Sequence, residues 1–132
     1  MDIDIATLVR ESLRAGGCDA SLLNNFDGHS TILLDFDDLP GILVSVVDKQ
    51  VVLWSQLCDF NSHVLAQVAD KVLELLLEPC KYSVTGQLQI AREENTTVLK
   101  CVVEEGCLNE AMFGDALENF YLSLRRYYEV LR

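Results

Sequence analysis

The chain is poor in positive charge: 10 Lys and Arg stand against 21 Asp and Glu, a formal net charge of −11 over 132 residues. Phosphate backbones and anionic bilayers are held by neutralising cations, so this balance argues against nucleic-acid binding and electrostatic membrane association. Long apolar runs are missing as well. None approaches the ~18 residues needed to cross a bilayer, so no membrane insertion is expected. The five cysteines, Cys18, Cys58, Cys80, Cys101 and Cys107, form no CxxC pair and are odd in number. With no secretory signal pattern ahead of them, they read as reduced thiols of a cytoplasmic protein. Cys18 and Cys101, among apolar neighbours, read as small core fillers.

Catalytic and metal-binding patterns are equally scarce. Only His29 and His63 offer imidazole bases. Asp27, His29 and Ser30 stand together in DGHS, but a triad is assembled in space from separate elements, and neighbours at a strand entry point in different directions. Zinc needs four convergent ligands in closely spaced pairs, and neither histidine is so paired with a cysteine. Asp35, Asp37 and Asp38 invite a calcium reading. Counted from Asp35, however, the positions that must hold glycine and glutamate hold Pro40 and Val46. No P-loop or GxGxxG is present. The expectation is a protein without catalytic residues, metal or cofactor, and not an enzyme.

Apolar residues are abundant, at 50%, with a mean hydropathy of +0.20. The length fits one domain over 1–132, with a core burying about two-thirds of the unfolded surface. The apolar surplus is high for a small monomer, and large exposed patches are rare on monomers, so a homodimer is expected. The densest stretch, 31–57, holds TILLDF, a turn DDLPG, ILVSVV, a turn DKQ and VVLWSQL, three runs of an antiparallel meander. Alternation places Ile32, Leu34 and Phe36 on one face, extended by Ile42, Val44 and Val46 and then by Val52 and Trp54. The opposite face would carry Thr31, Leu33, Asp35, Leu43, Ser45, Val47, Val51, Leu53 and Ser55. It is too greasy for a plain solvent face and too polar for a core. A lone tryptophan on a strand reads as a core anchor, or alternatively as part of a partner-binding pocket.

Ile5, Leu8, Val9, Ser12 and Leu13 recur at helical spacing, with Asp2 or Asp4 as cap and Gly16-Gly17 as stop. Leu22, Leu23 and Phe26 of the connector are expected to tuck onto the core. A second helix over 61–78 is capped by Asn61 or Ser62 and ended by Pro79. Its apolar arc is too wide for a sheet alone. Val64, Val68, Val72 and Leu75 are assigned to the sheet, and Ala69, Leu73, Leu76 and Leu77 to a symmetric partner copy. Residues 82–90 alternate as a half-buried strand, and with a turn over 92–97 and a strand over 98–103 they make a hairpin. A last helix from near Asn109 to the end carries Phe113, Leu117, Phe120, Leu124, Tyr127 and Leu131 as a narrow seam, a stripe laid on its own domain or a coiled-coil face. The order α-βββ-α-ββ-α describes a single α+β domain: a twisted, mostly antiparallel sheet with helices packed on it.

LVRESL followed by GCDASLL, then DGHSTILLDFDDLPGILVSVVDKQVVLWSQL, resembles the invasion protein B family of class IB type III secretion chaperones. The DxHSTI, LPxI and WxQL segments occur together and in order. The likeness runs through the first 60 or so residues and, more weakly, the terminal FYLSLRRYYEVL. It implies a cytoplasmic bacterial homodimer that holds the extended N-terminal chaperone-binding segment of one or more secreted effector proteins, often by adding a strand to the sheet, and so keeps them secretion-competent. It implies no catalysis and leaves open a contact with the export apparatus. An extended peptide suits a strand edge beside shallow apolar sites, so Leu33, Leu43, Ser45, Val47, Val51, Leu53 and Trp54 are the candidate effector-binding residues. A dimeric cytosolic regulator that binds a small ligand or signalling protein through the same face is the competing reading.

Overall fold

Residues 5–15 and 31–132 are described in the computed structural model. Asp2, Asp4, Gly16, Gly17, Cys18, Leu22, Leu23, Phe26, Asp27, His29 and Ser30 lie outside them. The elements run α1 (Ile5–Ala15), β1 (Ile32–Leu34), β2 (Ile42–Val47), β3 (Gln50–Asp59), α2 (Ser62–Leu77), β4 (Gln89–Glu93), β5 (Thr96–Val102) and α3 (Glu110–Leu131), with a single 3-10 turn (Glu105–Cys107) before α3. This is the expected α-βββ-α-ββ-α order. The five strands form one sheet in the order β1-β2-β3-β5-β4, with antiparallel neighbours throughout.

The sheet has an inner face under helices and an outer face. Ile32, Ile42, Val44, Val51, Leu53 and Leu99 turn inward, join one apolar cluster with Ile5 and Val9 of α1 and the α3 side chains, and are at most 4% exposed. The α3 seam read from the sequence is buried along its whole length, from Phe113 to Leu131. It is therefore a stripe laid on its own domain. Asn109 caps α3 by accepting the Met112 N–H at 2.9 Å. Gly114 lets α1 come close: a Cβ there would stand 3.6 Å from Ser12 Cβ. Ser12, buried, donates to Glu110 O at 3.3 Å.

Three expectations are corrected. The first concerns the β2–β3 turn. It contains two residues rather than three: Asp48 and Lys49 both have positive φ, 50° and 65°, and Val47 pairs with Gln50. Positive φ at both central positions marks the type I′ hairpin turn, whose twist matches the flanking strands. Removing one residue from the turn inverts every side chain beyond it. Val46 thus pairs with Val51 and Val44 with Leu53. Val51 and Leu53 are 0% exposed in the core, and Val52 and Trp54 turn outward.

The second concerns residues 82–88, which form turns with one bridge, Ser83 to Val103, while the strand begins at Gln89. Ser83 and Thr85 hydroxyls both donate to Gln87 O, at 2.9 and 2.8 Å, and Gly86 adopts φ +80°. Local side-chain bonds to the backbone have displaced the ladder. The third concerns α2, which packs chiefly against α3 rather than the sheet. Val72 is buried, Val68 and Leu75 are half-buried, and Val64 is 36% exposed.

Candidate functional site: the outer sheet face and the α2 ridge

The register builds one transverse row across all five strands of the outer face. Leu33 pairs with Leu43, Leu43 with Trp54, Trp54 with Lys100, and Lys100 with Gln89. The row is apolar over β1 to β3 and polar over β5 and β4. Leu33 is 50% exposed and Val47, further along β2, is 52% exposed; Leu43 and Trp54 are half-buried.

A short polar chain crosses this apolar ground. Trp54 Nε1–H donates to Ser45 Oγ at 2.9 Å, and Ser45 Oγ shares a second hydrogen bond of 2.9 Å with Thr31 Oγ1. Tryptophan needs a partner for its N–H when it is buried. Ser45 supplies one, holding the indole across the neighbouring strand. At the β4 side Lys100 pairs with Glu93. The result is a partly exposed apolar surface with hydrogen-bonded hydroxyls, bounded by charge on one side.

Of the residues the sequence nominated for binding, Leu33, Leu43, Ser45, Val47 and Trp54 come together on this face. Val51 and Leu53 do not: they belong to the core, because of the two-residue turn. Sequence reasoning missed Val52, Lys100 and Val102, which follow once the register is known.

The second nominated set lies on α2. Leu73 and Leu77 are 57% and 64% exposed, and Ala69 is also exposed. Leu76 is half-buried against the core cluster. The helix is well started: Asn61 Oδ1 accepts from the N–H groups of His63 and Val64 at 2.9 and 3.2 Å. A recess of ≈ 310 Å³ at its N-terminal end is lined by Cys58, Phe60, Val64, Leu65 and Leu131, among others. Nothing in the linear pattern announces it, since it arises where β3, α2 and α3 converge. At the other end of α2, Glu78 and Arg126 form a two-pronged ion pair at 2.9 and 2.6 Å, and the hydrogen bond from Arg126 holds the Glu78 carboxyl below its ordinary range.

His63 is exposed at the start of α2, with its backbone N–H in the cap. Among the described residues no group of three His, Cys, Asp or Glu side chains could hold a metal ion, and no helix is long and apolar enough to cross a membrane.

Comparison with known proteins agrees with this architecture. The chain is similar to the structures of the ExsC-ExsE complex (TM-score 0.64, 15% identity, 99% of this chain and 97% of that one) and of the heterodimeric ExoU-SpcU complex from the type III secretion system of Pseudomonas aeruginosa (TM-score 0.53, 19% identity, 82% and 83%). At these identities the likeness is one of fold. In sequence the chain is 40% identical, over 120 residues, to the surface presentation of antigens protein SpaK of Salmonella typhimurium, and equally to that of Salmonella typhi, covering 90% of this chain and 89% of each relative. The family model of the invasion protein B family matches residues 17–94. The chain belongs to the invasion protein B family.

Proposed function

We propose that the protein is a type III secretion chaperone: a cytoplasmic homodimer that holds the extended N-terminal segment of one or more secreted effectors on its outer sheet face and performs no catalysis. Family membership supports the secretion role. The observation that carries the site is the outer row Leu33–Leu43–Trp54, a partly exposed apolar strip beside a three-residue edge strand. An extended chain can pair its backbone with a strand edge and set alternate side chains on such a strip. A net charge of −11 favours encounter with a basic segment and keeps copies of an apolar protein apart in solution.

The α2 ridge of Ala69, Leu73 and Leu77, with Leu76 at its inner shoulder, is the proposed dimer contact. A symmetric interface needs a self-complementary patch, and one apolar helix face meets that condition. Leu73→Glu is expected to shift the solution mass from 29.6 kDa, twice 14.8 kDa, towards the monomer, because a desolvated carboxylate there has no basic partner. Light scattering at low concentration checks this. An unchanged dimer mass removes the α2 interface.

The deciding experiment is affinity purification of the tagged protein from its own host under secretion-inducing conditions, then limited proteolysis of whatever copurifies. A secreted protein with one protected stretch near its N-terminus, bound to two copies of this chain, supports the proposal. Recovery of the chain alone, or of a regulator protected throughout, overturns it.

A further inference from the structure

The loop over 35–41 joins β1, an edge strand of the sheet, to β2. Its middle, 37–39, bends without a hydrogen-bonded turn. β1 does little to fix this corner, since it meets β2 through three residue pairs: Ile32 with Val44, Leu33 with Leu43 and Leu34 with Ile42. The loop is instead held at three points by side-chain contacts to elements further along the chain.

On the outgoing leg the Phe36 ring packs on the Tyr121 ring of α3, with centroids 4.9 Å apart and planes at 52°. Both rings are half-buried against the core cluster, and tilted pairs at this distance add to plain area burial. Arg125 lies one turn further along α3, on the same helix face as Tyr121. Its Nη2 donates to Tyr121 Oη at 2.7 Å and stands 3.6 Å from Asp38 Oδ2 at the tip of the loop. That ion pair is open to water and is weak by itself, so the ring contact is the stronger hold. On the return leg Ser55 of β3 donates to Gly41 O at 2.9 Å. A Cβ at Gly41 would stand 3.2 Å from Leu34 O, so the two legs run in close contact. Phe36 shares the inward parity of Ile32; the α3 contacts therefore act from the helical side of the sheet, while Leu33 faces out.

We propose that Tyr121 and Arg125 are positioning residues for effector binding: they clamp the 35–41 loop so that β1 stands in register as the edge an extended effector segment joins, a role that rests on the sheet-edge reading of function given above. Ordering a loose strand at each encounter would subtract its conformational entropy from the binding free energy. A clamp already made in the free protein removes that cost. It is rooted in the buried stripe of α3, which is fixed independently of the edge.

The test uses the full chain and three variants, Tyr121→Ala, Arg125→Gln and Tyr121→Phe. Amide hydrogen exchange read by mass spectrometry over 31–36 follows β1, and the same map over β3 and β5 follows the rest of the sheet. Tyr121→Ala is expected to speed exchange over 31–36 about fivefold to tenfold while β3 and β5 keep wild-type rates, because a ring pair and its attached ion pair are lost from the edge alone. Arg125→Gln should speed it about twofold, and Tyr121→Phe, which keeps the ring contact, less than that. Titration calorimetry against the effector stretch recovered by limited proteolysis should follow the same order, with Tyr121→Ala binding about fivefold more weakly at unchanged solution mass. Exchange over 31–36 at the wild-type rate in Tyr121→Ala overturns the clamp. So does exchange accelerated equally over β3 and β5, which would show a contribution to global stability only. Undiminished affinity in a variant whose β1 exchange has risen overturns the positioning role and leaves the effector reading intact. A wild-type chain that does not bind the recovered stretch removes the effector reading and this role with it. If Tyr121→Ala does not fold, Arg125→Gln, which leaves both rings in place, decides by the same measurements.

Discussion

The two faces of the sheet are built from nearly the same alphabet and have opposite fates. On the inner face Val44, Val51, Leu53 and Leu99 are 0% exposed beneath α1 and α3. On the outer face Leu33, Leu43, Val47 and Trp54 are equally aliphatic or aromatic, yet two of them are half in water. What separates them is polar content. Ser55, buried on the inner side, spends its hydroxyl on Gly41 O at 2.9 Å, whereas Ser45 and Thr31 outside form a chain that fixes an indole. An interior tolerates polar groups only when their bonds close within it. The outer chain ends at Thr31, which is exposed, so it stays open to water although Ser45 itself is buried.

If that contrast is right, equal truncations on the two faces should differ several-fold. Leu53→Ala is expected to cost about 2–5 kcal/mol, through lost transfer energy plus a cavity beneath α3. Leu33→Ala, at 50% exposure, should stay within about 0.5 kcal/mol. Urea denaturation of the pair is the check, and equal losses would erase the distinction between core and outer face.

The helical cover of the inner face carries its own test. Burial first, then the charge of Glu78, pushes Tyr127 up to about 12. An unfolded tyrosine titrates at about 10. The folded state keeps its proton where the unfolded chain has lost it, so this contribution is whole below about pH 10 and disappears as pH rises through about 12, a loss of about 2–3 kcal/mol. Tyr127→Phe should flatten the stability profile over that window. It should cost little at neutral pH, because the hydroxyl has no partner to lose. A profile as steep as that of the wild type would place the alkaline transition elsewhere.

Much of this was legible in the chain, for reasons that differ by element. The α3 seam was readable because 3.6-residue periodicity needs no partner to be seen, and every seam residue is buried. The β1–β2 face was readable because Ile32 and Val44 keep the same parity across their turn. The β3 face was not. Whether DKQ gives two turn residues or three depends on the positive φ of Asp48 and Lys49, and one residue decides whether Leu53 or Trp54 is core. The strand expected over 82–90 begins only at Gln89 because Ser83 and Thr85 bond the backbone locally, which alternation of polarity does not reveal.

The outer face should separate binding from folding. Leu43→Glu sets a carboxylate beside Trp54 on the proposed effector strip and leaves α2 untouched. It is expected to weaken effector binding at least about tenfold, near 1.4 kcal/mol, with dimer mass and urea midpoint close to wild type. Titration calorimetry against the effector segment recovered above reads it directly. Unfolding of the variant would mean that Leu43 belongs to the core despite its position.

The smallest effect expected is the most local. Ser45→Ala removes the acceptor of the Trp54 N–H and the partner of Thr31 while leaving every aliphatic group in place. Because Trp54 is only half-buried, its N–H can turn to water, so the cost should be about 0.5–1.5 kcal/mol rather than the larger penalty of a stranded buried donor. Trp54 is the single tryptophan, so its emission reports on this face alone. The maximum should move to longer wavelength as the indole loses its fixed partner and gains hydration, and an effector segment that covers the strip should move it back. An emission spectrum unchanged by Ser45→Ala would show that the hydroxyl chain does not hold the indole. The outer face would then owe its shape to Leu43 and the strand twist instead.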